Sequence, residues 1–408
     1  DLYDIFICRL SADLSSLDAS TFLGDVHIEH YPSLATDSAN NLYIAGQIYS
    51  ATFPTTPGAY DLTYNGDQDF FISRFPADLS SLDASTYLGG SSRDEWPFIA
   101  IDSADNVFVT GTTRSSDFPT TTGAYDETYN IDIIPGDIFV SRLDPALTTL
   151  DASTYLGGTS KDERSKIAFD SSDNVYITGE TSSSDFPTTS GAYDTTWSNQ
   201  EIFISHLTAN LQTLTASTYL GGSHQEYRPA VAIGSTGQIF VSGDTQSTNF
   251  PVEIDAFDGT FNGVYDIFAS RLSADLTTLE ESTYLGGSGE DEHYGMVLGA
   301  DDEMVVVGRT ASADFPVTAG AYDRDNTKID SLFVSRLHAG EDKSIYDLKV
   351  DFQGDGSGSV NMDPPDANLE ADGSYAYANA TTVTLTATEN ADSLFEGWSG
   401  DTECLNGV

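Results

Sequence analysis

Asp137-Ile-Phe-Val-Ser-Arg-Leu143 decides how the chain is read, because it does not stand alone. Near-copies begin at Asp4, Asp69, Glu201, Asp266 and Ser331, a period of about 65 residues. Downstream of it, Ala152-Ser-Thr-Tyr-Leu-Gly-Gly158 is matched at 84–90, 216–222 and 281–287. A third block, Ile167–Gly179, is matched at 34–46, 99–111, 231–243 and 296–308. Each block is a short β-branched or aromatic run bounded by turn residues, and no stretch sustains a helical period. Taking Ile99–Ile101 as strand A, Val107–Val109 as B, Asp137–Leu143 as C and Ala152–Leu156 as D gives four antiparallel strands per repeat. One such sheet cannot bury both faces alone, whereas sheets packed side by side around an axis can. The expected fold is therefore all-β, a β-propeller of four-stranded antiparallel blades. Strands A and B occur five times and strand C six times, so five full repeats and an opening half blade are visible. If residues upstream supply the other half, the ring has six or seven blades. If residue 1 is native, the opening pair could instead close a five-bladed ring, which leaves Ser331–Leu337 surplus; the first arrangement is preferred.

Composition narrows the partners. The 408 residues carry 64 acidic against 16 basic side chains, a formal charge of −48, which repels nucleic acid and anionic lipid. Solubility, cation-rich surroundings or salt adaptation account for that charge more simply than dedicated cation binding. Cys8 and Cys404 lie far apart in unlike contexts, so neither a disulfide framework nor a cysteine metal site can be assembled. No apolar run reaches the roughly 18 residues of a membrane-spanning helix. The chain opens inside a repeat without Met, so a leader could have been removed upstream.

The three blocks, together with Asp185-Phe-Pro-Thr-Thr189 and Gly191-Ala-Tyr-Asp194, resemble the bacterial SBBP-type β-propeller repeats over residues 1–340. The resemblance implies a propeller on an exported protein, extracellular or at the cell surface. Further on, Asp355-Gly-Ser-Gly-Ser-Val360, Thr382-Val-Thr-Leu-Thr-Ala387 and Phe395-Glu-Gly-Trp-Ser-Gly-Asp401 resemble the small bacterial surface repeat related to the internalin B-repeat. That module stops at Val408 with Cys404 unpartnered, as though cut short. The expected organisation is a propeller over 1–340, a linker over 341–346 and a small β module over 347–408.

Strand direction puts the D–A and B–C links on one face and the A–B and C–D turns on the other. On the first face, Glu29, Glu95, Glu163, Glu226 and Glu292 form an expected ring at the mouth of the central channel. Such a ring would attract Ca2+, the one cofactor considered, or cationic groups of a ligand. The competing and favoured reading pairs these glutamates with Arg9, Arg74, Arg142, Arg271 and Arg336 of strand C, where His206 is the one departure. Asp-rich A–B turns such as Asp102-Ser-Ala-Asp-Asn106 read as tight turns, since the same turn carries Gly234 and Gly237 elsewhere and no complete calcium-loop spacing occurs. Phe53, Phe118, Phe186, Phe250 and Phe315, each followed by Pro, with Tyr60, Tyr125, Tyr193, Phe257 and Tyr322, could stack on sugars but read better as loop anchors. The long B–C links are where recognition is expected, and the insertion Ile131–Pro135 together with His224–Arg228 marks where a function borne by one irregular blade would sit.

No nucleophile motif or metal-ligand spacing involves the six histidines. The expectation is thus not an enzyme but a non-enzymatic module for adhesion, protein–protein interaction or extracellular assembly. Its partner would be a protein or glycan on the D–A/B–C face, or further copies of the chain, with no nucleic acid and no membrane insertion. The alternative is a Ca2+-dependent or carbohydrate-binding, lectin-like propeller, followed by a polysaccharide-active enzyme.

Overall fold

The computed structural model describes residues 4–130, 136–253, 256–318, 320–324 and 330–338, and the backbone of four strands beyond them. The chain divides into two compact units, Asp1–Ala339 and Gly340–Val408.

In the first unit, β1 (Ile5–Leu10) and β2 (Leu17–Leu23) form a two-stranded sheet. Four sheets of four consecutive antiparallel strands follow. They are β3 (Glu29–Thr36), β4 (Leu42–Ile48), β5 (Asp69–Phe75) and β6 (Ala84–Leu88); β7 (Asp94–Ile101), β8 (Val107–Thr113), β9 (Asp137–Leu143) and β10 (Leu150–Leu156); β11 (Asp162–Phe169), β12 (Val175–Thr181), β13 (Glu201–Leu207) and β14 (Leu214–Leu220); β15 (Glu226–Ile233), β16 (Ile239–Thr245), β17 (Asp266–Leu272) and β18 (Leu279–Leu285). A last sheet holds β19 (Asp291–Leu298), β20 (Met304–Thr310) and β21 (Ser331–Leu337). The first strands lie side by side in the order β3, β7, β11, β15, β19 and make the hub of a multi-bladed β-propeller. In the second unit, β22 (Tyr346–Leu348) pairs with β24 (Tyr375–Tyr377), and β23 (Gly358–Asp363) with β25 (Thr384–Glu389).

The core lies between blades rather than within them. Phe108, Ile138 and Val140 of one sheet pack on Ile167, Val175, Ile177 and Phe203 of the next. Because both faces are covered in this way, all seven residues of β8, β12 and β16 are buried. A small residue is required where strand B crosses the aromatic ring of strand C: a β-carbon on Gly179 would stand 2.7 Å from Phe203 Cε1.

The B–C connections turn out to be structural. Phe186 is buried and its ring stacks on Phe203 at 4.3 Å between centroids. The chain then runs beside the outer strand, where Thr189 N donates to Ser217 O (3.0 Å) and Tyr219 N to Asp194 O (3.0 Å). The outer edge of each four-stranded sheet is covered in this way, which suppresses strand addition there. The insertion Ile131–Pro135 lies outside the described residues.

The opposite face is stitched from blade to blade. In three A–B turns a serine is held by an aspartate of the next turn: Ser38 by Asp105, Ser103 by Asp173 and Ser235 by Asp302, with N–H···O distances of 2.8, 3.0 and 2.9 Å. Asp102 accepts from Ala104 N, Asn106 N and Asn106 Nδ2 of its own turn, as the turn reading requires.

Candidate functional site at the hub rim

Every hub strand carries a β-bulge just after its start. The register with its neighbour slips between His30 and Ser33, Glu95 and Phe98, Glu163 and Lys166, Tyr227 and Ala230, and His293 and Gly295. In the first four the extra residue is Tyr31, Trp96, Arg164 or Arg228, each with positive φ (50, 57, 57 and 49°). A bulge re-aims a side chain out of the alternation of a strand. Here it turns a tyrosine, a tryptophan and two arginines to the rim on the D–A/B–C face.

The backbone of these bulges is fixed by the preceding blade. Arg228 N donates to Glu180 Oε1 (2.9 Å), Arg164 N to Thr112 Oγ1 (3.3 Å), and His293 N to Asp244 Oδ1. Around them, the Arg164 guanidinium lies 5.2 Å from the centre of the Trp96 ring. Arg228 Nη1 bonds Asp244 Oδ2 (2.8 Å) and lies 3.5 Å from Glu292 Oε1, which belongs to the next blade. Arg309 reaches Glu290 and Glu292 at 3.3 and 3.4 Å, Arg114 reaches Glu95 at 2.7 Å, and Lys161 pairs with Glu163. Tyr31, Tyr49 and Tyr294 are exposed.

Burial pushes Glu180 up to about 7, against the opposing hydrogen bond from Arg228 N, and does the same to Asp244 despite Arg228. His293 is buried, bonded to Ser242 Oγ (2.8 Å) and to the Arg228 carbonyl (2.9 Å), and burial drops it to about 4, so the ring is neutral.

The expected ring of five glutamates resolves into two rows. Glu29 and Glu226 are the first residues of their hub strands, in the register held elsewhere by Asp94, Asp162 and Asp291. Glu95, Glu163 and Glu292 follow one residue later. The later row joins the rim ion pairs. The first row is buried in the seams between blades, facing the acidic residue that opens strand C of the preceding blade. Thus Asp94 faces Asp69, Asp162 faces Asp137, Glu226 faces Glu201 and Asp291 faces Asp266, all converging on the first glycine of the Leu-Gly-Gly block. Burial raises Asp69 and Asp266 to about 6, Glu29, Asp94, Asp137 and Glu201 to about 7, and Asp162 and Glu226 to about 8. Among the described residues, no three of His, Cys, Asp and Glu cluster as a metal site.

The arginines of strand C do not meet these glutamates. They lie five residues along a strand that starts at the glutamates' end, a separation of about 17 Å. Arg74 Nη1 donates instead to Pro145 O and Arg142 Nη1 to Ala209 O, both at 2.9 Å, and Arg9 Nη1 to Ala77 O at 2.6 Å, each in the C–D turn of the next blade. Arg271 pairs with Glu280 and Glu281, and Arg336 with Glu303. Phe53, Phe118, Phe186, Phe250 and Phe315 are buried, whereas Phe257 and Tyr322 are exposed. Arg228 closes the His224–Arg228 stretch that the sequence singled out, whereas Tyr31, Trp96 and Arg164 escaped the sequence reading. They sit in the variable opening of the hub strand, where repetition between blades is weakest.

A family model described as a beta-propeller repeat (SBBP) matches residues 85–119 and 153–187. No curated protein matches the chain. Solved structures similar to it include a polysaccharide lyase acting on ulvan (9% identity, TM-score 0.43, 76% of this chain and 70% of that one). They also include an α-L-arabinofuranosidase of Fusarium graminearum (12%, 0.40, 72% and 91%) and a sialidase of Streptococcus pneumoniae (7%, 0.39, 80% and 57%). The fold rests on the chain's own strand order. What these findings correct is the expectation built on resemblance. The repeat family is matched over two short stretches rather than residues 1–340, and no match supports the internalin-like tail. Several of these similar structures are named as carbohydrate-active enzymes, and one as a protein of unknown function. The reading as a non-enzymatic, structural or adhesive module is therefore withdrawn, and with it the expectation that the chain is not an enzyme.

Proposed function

We propose that the hub rim binds a carbohydrate. The observation that carries this reading is the set of bulge residues Tyr31, Trp96, Arg164 and Arg228, turned out on a rigid hub beside Glu95, Glu163 and Glu292. A sugar ring presents an apolar C–H face, which packs on an indole or phenol, and a rim of hydroxyls, which bond in pairs to guanidinium and carboxylate groups. Trp96 with Arg164 supplies the first, and Arg228 with Glu292 the second. An extracellular or cell-surface location belongs to the same proposal and is tested by cell fractionation.

Glycan-array screening followed by calorimetry with the best ligand tests it. Trp96→Ala and Arg228→Ala should each weaken binding tenfold or more; Arg228→Ala should also lower the melting temperature, since Arg228 pairs with buried Asp244, so Trp96→Ala is the cleaner test. Wild-type-like affinity in both variants would remove the rim as the site.

One observation favours cleavage as a second reading. Glu163 and Glu180 are directly opposed across β11 and β12, the first paired with Lys161 and the second with its carboxyl raised to about 7. A pair of neighbouring carboxyl groups, one of them held protonated by burial, is the equipment of glycoside hydrolysis. Release of reducing ends from the bound glycan, lost in Glu180→Gln while binding persists, supports this reading. Binding without product refutes it.

A further inference from the structure

The seam carboxylates lie apart from the rim side chains that would touch a sugar. We propose that the three seams closed by Asp69 with Asp94, Asp137 with Asp162, and Asp266 with Asp291 each bind one Ca2+ ion. Four observations converge on this.

These six residues are fully buried, and among the described residues none of them is in an ion pair. Each holds its Oδ2 on a backbone amide: Asn65 N, Asn130 N and Asn262 N donate to the strand C aspartates at 2.7, 3.0 and 2.8 Å. Gly90 N, Gly158 N and Gly287 N donate to the hub aspartates at 2.8, 2.8 and 2.7 Å. The Oδ1 atoms of Asp69, Asp137, Asp162, Asp266 and Asp291 have no hydrogen-bond partner at all. A buried, unbonded carboxylate oxygen is costly, and two facing each other cost more.

The two carboxylates of a seam meet at one glycine, the strand C residue through its unbonded Oδ1 and the hub residue through Oδ2. A β-carbon on Gly89 would stand 2.7 Å from Asp69 Oδ1 and 2.8 Å from Asp94 Oδ2. One on Gly157 would stand 2.7 Å from Asp137 Oδ1 and 2.9 Å from Asp162 Oδ2. The repeated glycine thus keeps open a cradle that any side chain would fill. In two of the seams, backbone oxygen adds to the cradle: the carbonyls of Gly90 and Ser92 crowd Gly66 together with Asp69 Oδ1, and those of Gly287 and Gly289 crowd Gly263 together with Asp266 Oδ1.

Carboxylate and carbonyl oxygens with no nitrogen or sulfur are the donor set of a hard cation, and Ca2+ accepts six to eight of them, water included, in irregular geometry. One shared proton would cancel a single charge and join one pair of oxygens. One Ca2+ cancels both. The seam of Glu201 and Glu226 differs at its strand C member, because Ser198 Oγ and N satisfy both oxygens of Glu201; Ser247 and Thr245 donate to Glu226 Oε1, as Ser115, Ser183 and Ser312 donate to the hub aspartates, and Glu226 Oε2 alone is left without a partner.

Calorimetric titration of the chelator-stripped full chain with Ca2+ alone, and metal analysis after dialysis against about 1 mM Ca2+, test this directly. Three ions per chain are expected, with a melting temperature several degrees higher in Ca2+ than in NaCl of equal ionic strength. Asp162→Asn should lower the count to two, and Glu201→Gln should leave it at three. If Asp162→Asn does not fold, the wild-type count decides. No bound Ca2+ at that concentration, or a count unmoved in a folded Asp162→Asn, overturns the proposal and leaves the dyads sharing protons.

Discussion

Glu180 shows how one residue can make the chain respond to pH in an unusual direction. Its carboxyl belongs near 4.5 when exposed and near 7 in the folded chain, because burial disfavours the charged form. Folding therefore takes up a proton between those values. The stabilisation is complete below about pH 4.5 and is lost as pH rises through 7, on the order of 1–3 kcal/mol. Glu180→Gln should match the wild type near pH 5 and exceed it in melting temperature near pH 8, a comparison that thermal unfolding by circular dichroism makes directly. A variant that is less stable at pH 8 would show instead that the carboxylate is needed as an ion, as partner to Arg164 and Gln200.

At the scale of the element, the covered sheet edge is the feature with measurable weight. Phe186→Ala removes a buried ring stacked on Phe203 and should cost about 3–5 kcal/mol in urea unfolding. It should also expose the 187–200 segment to protease, since the ring anchors the excursion that runs beside β14. Gly179→Ala should cost about 1–3 kcal/mol, because the added methyl meets the Phe203 ring and the Glu163 carbonyl. Equal stability in either variant would mean that the blade repacks freely.

The strands themselves were legible. Blocks of alternating apolar residues at a fixed period located B, C and D to within a few residues. The hub strand was not, for it begins at Asp94 rather than Ile99. Its opening Asp-Glu-Trp-Pro reads as a polar link, and the bulge inside it breaks the period of two that would have revealed it. The same bulge explains the glutamate ring that became two rows. Asp and Glu alternate in the first position, and chemical likeness hid a shift of one residue. Which partner each arginine would find depended on strand length and direction, which residue type alone does not specify.

For the whole molecule, the charge of −48 sets the response to salt. Like charges repel more in the compact state than in the open chain, and salt screens them. Raising NaCl from about 10 mM to about 0.5 M shortens the Debye length from roughly 30 Å to a few Å. The melting temperature should climb with it in chelator-treated protein. A flat or falling dependence would mean that the paired rim charges, weakened by the same screening, outweigh the repulsion.

The hub bulge has one more consequence. At three seams part of the grip is taken by the main-chain amide of Arg164, Arg228 or His293, a group that every residue except proline possesses and that outlasts a change of the side chain above it. Specificity can then drift one blade at a time without renegotiating the architecture, much as keys are recut without touching the lock case. Blades that share one strand plan and yet carry Tyr31, Trp96, Arg164 or Arg228 at the bulge are what such a division of labour would leave behind.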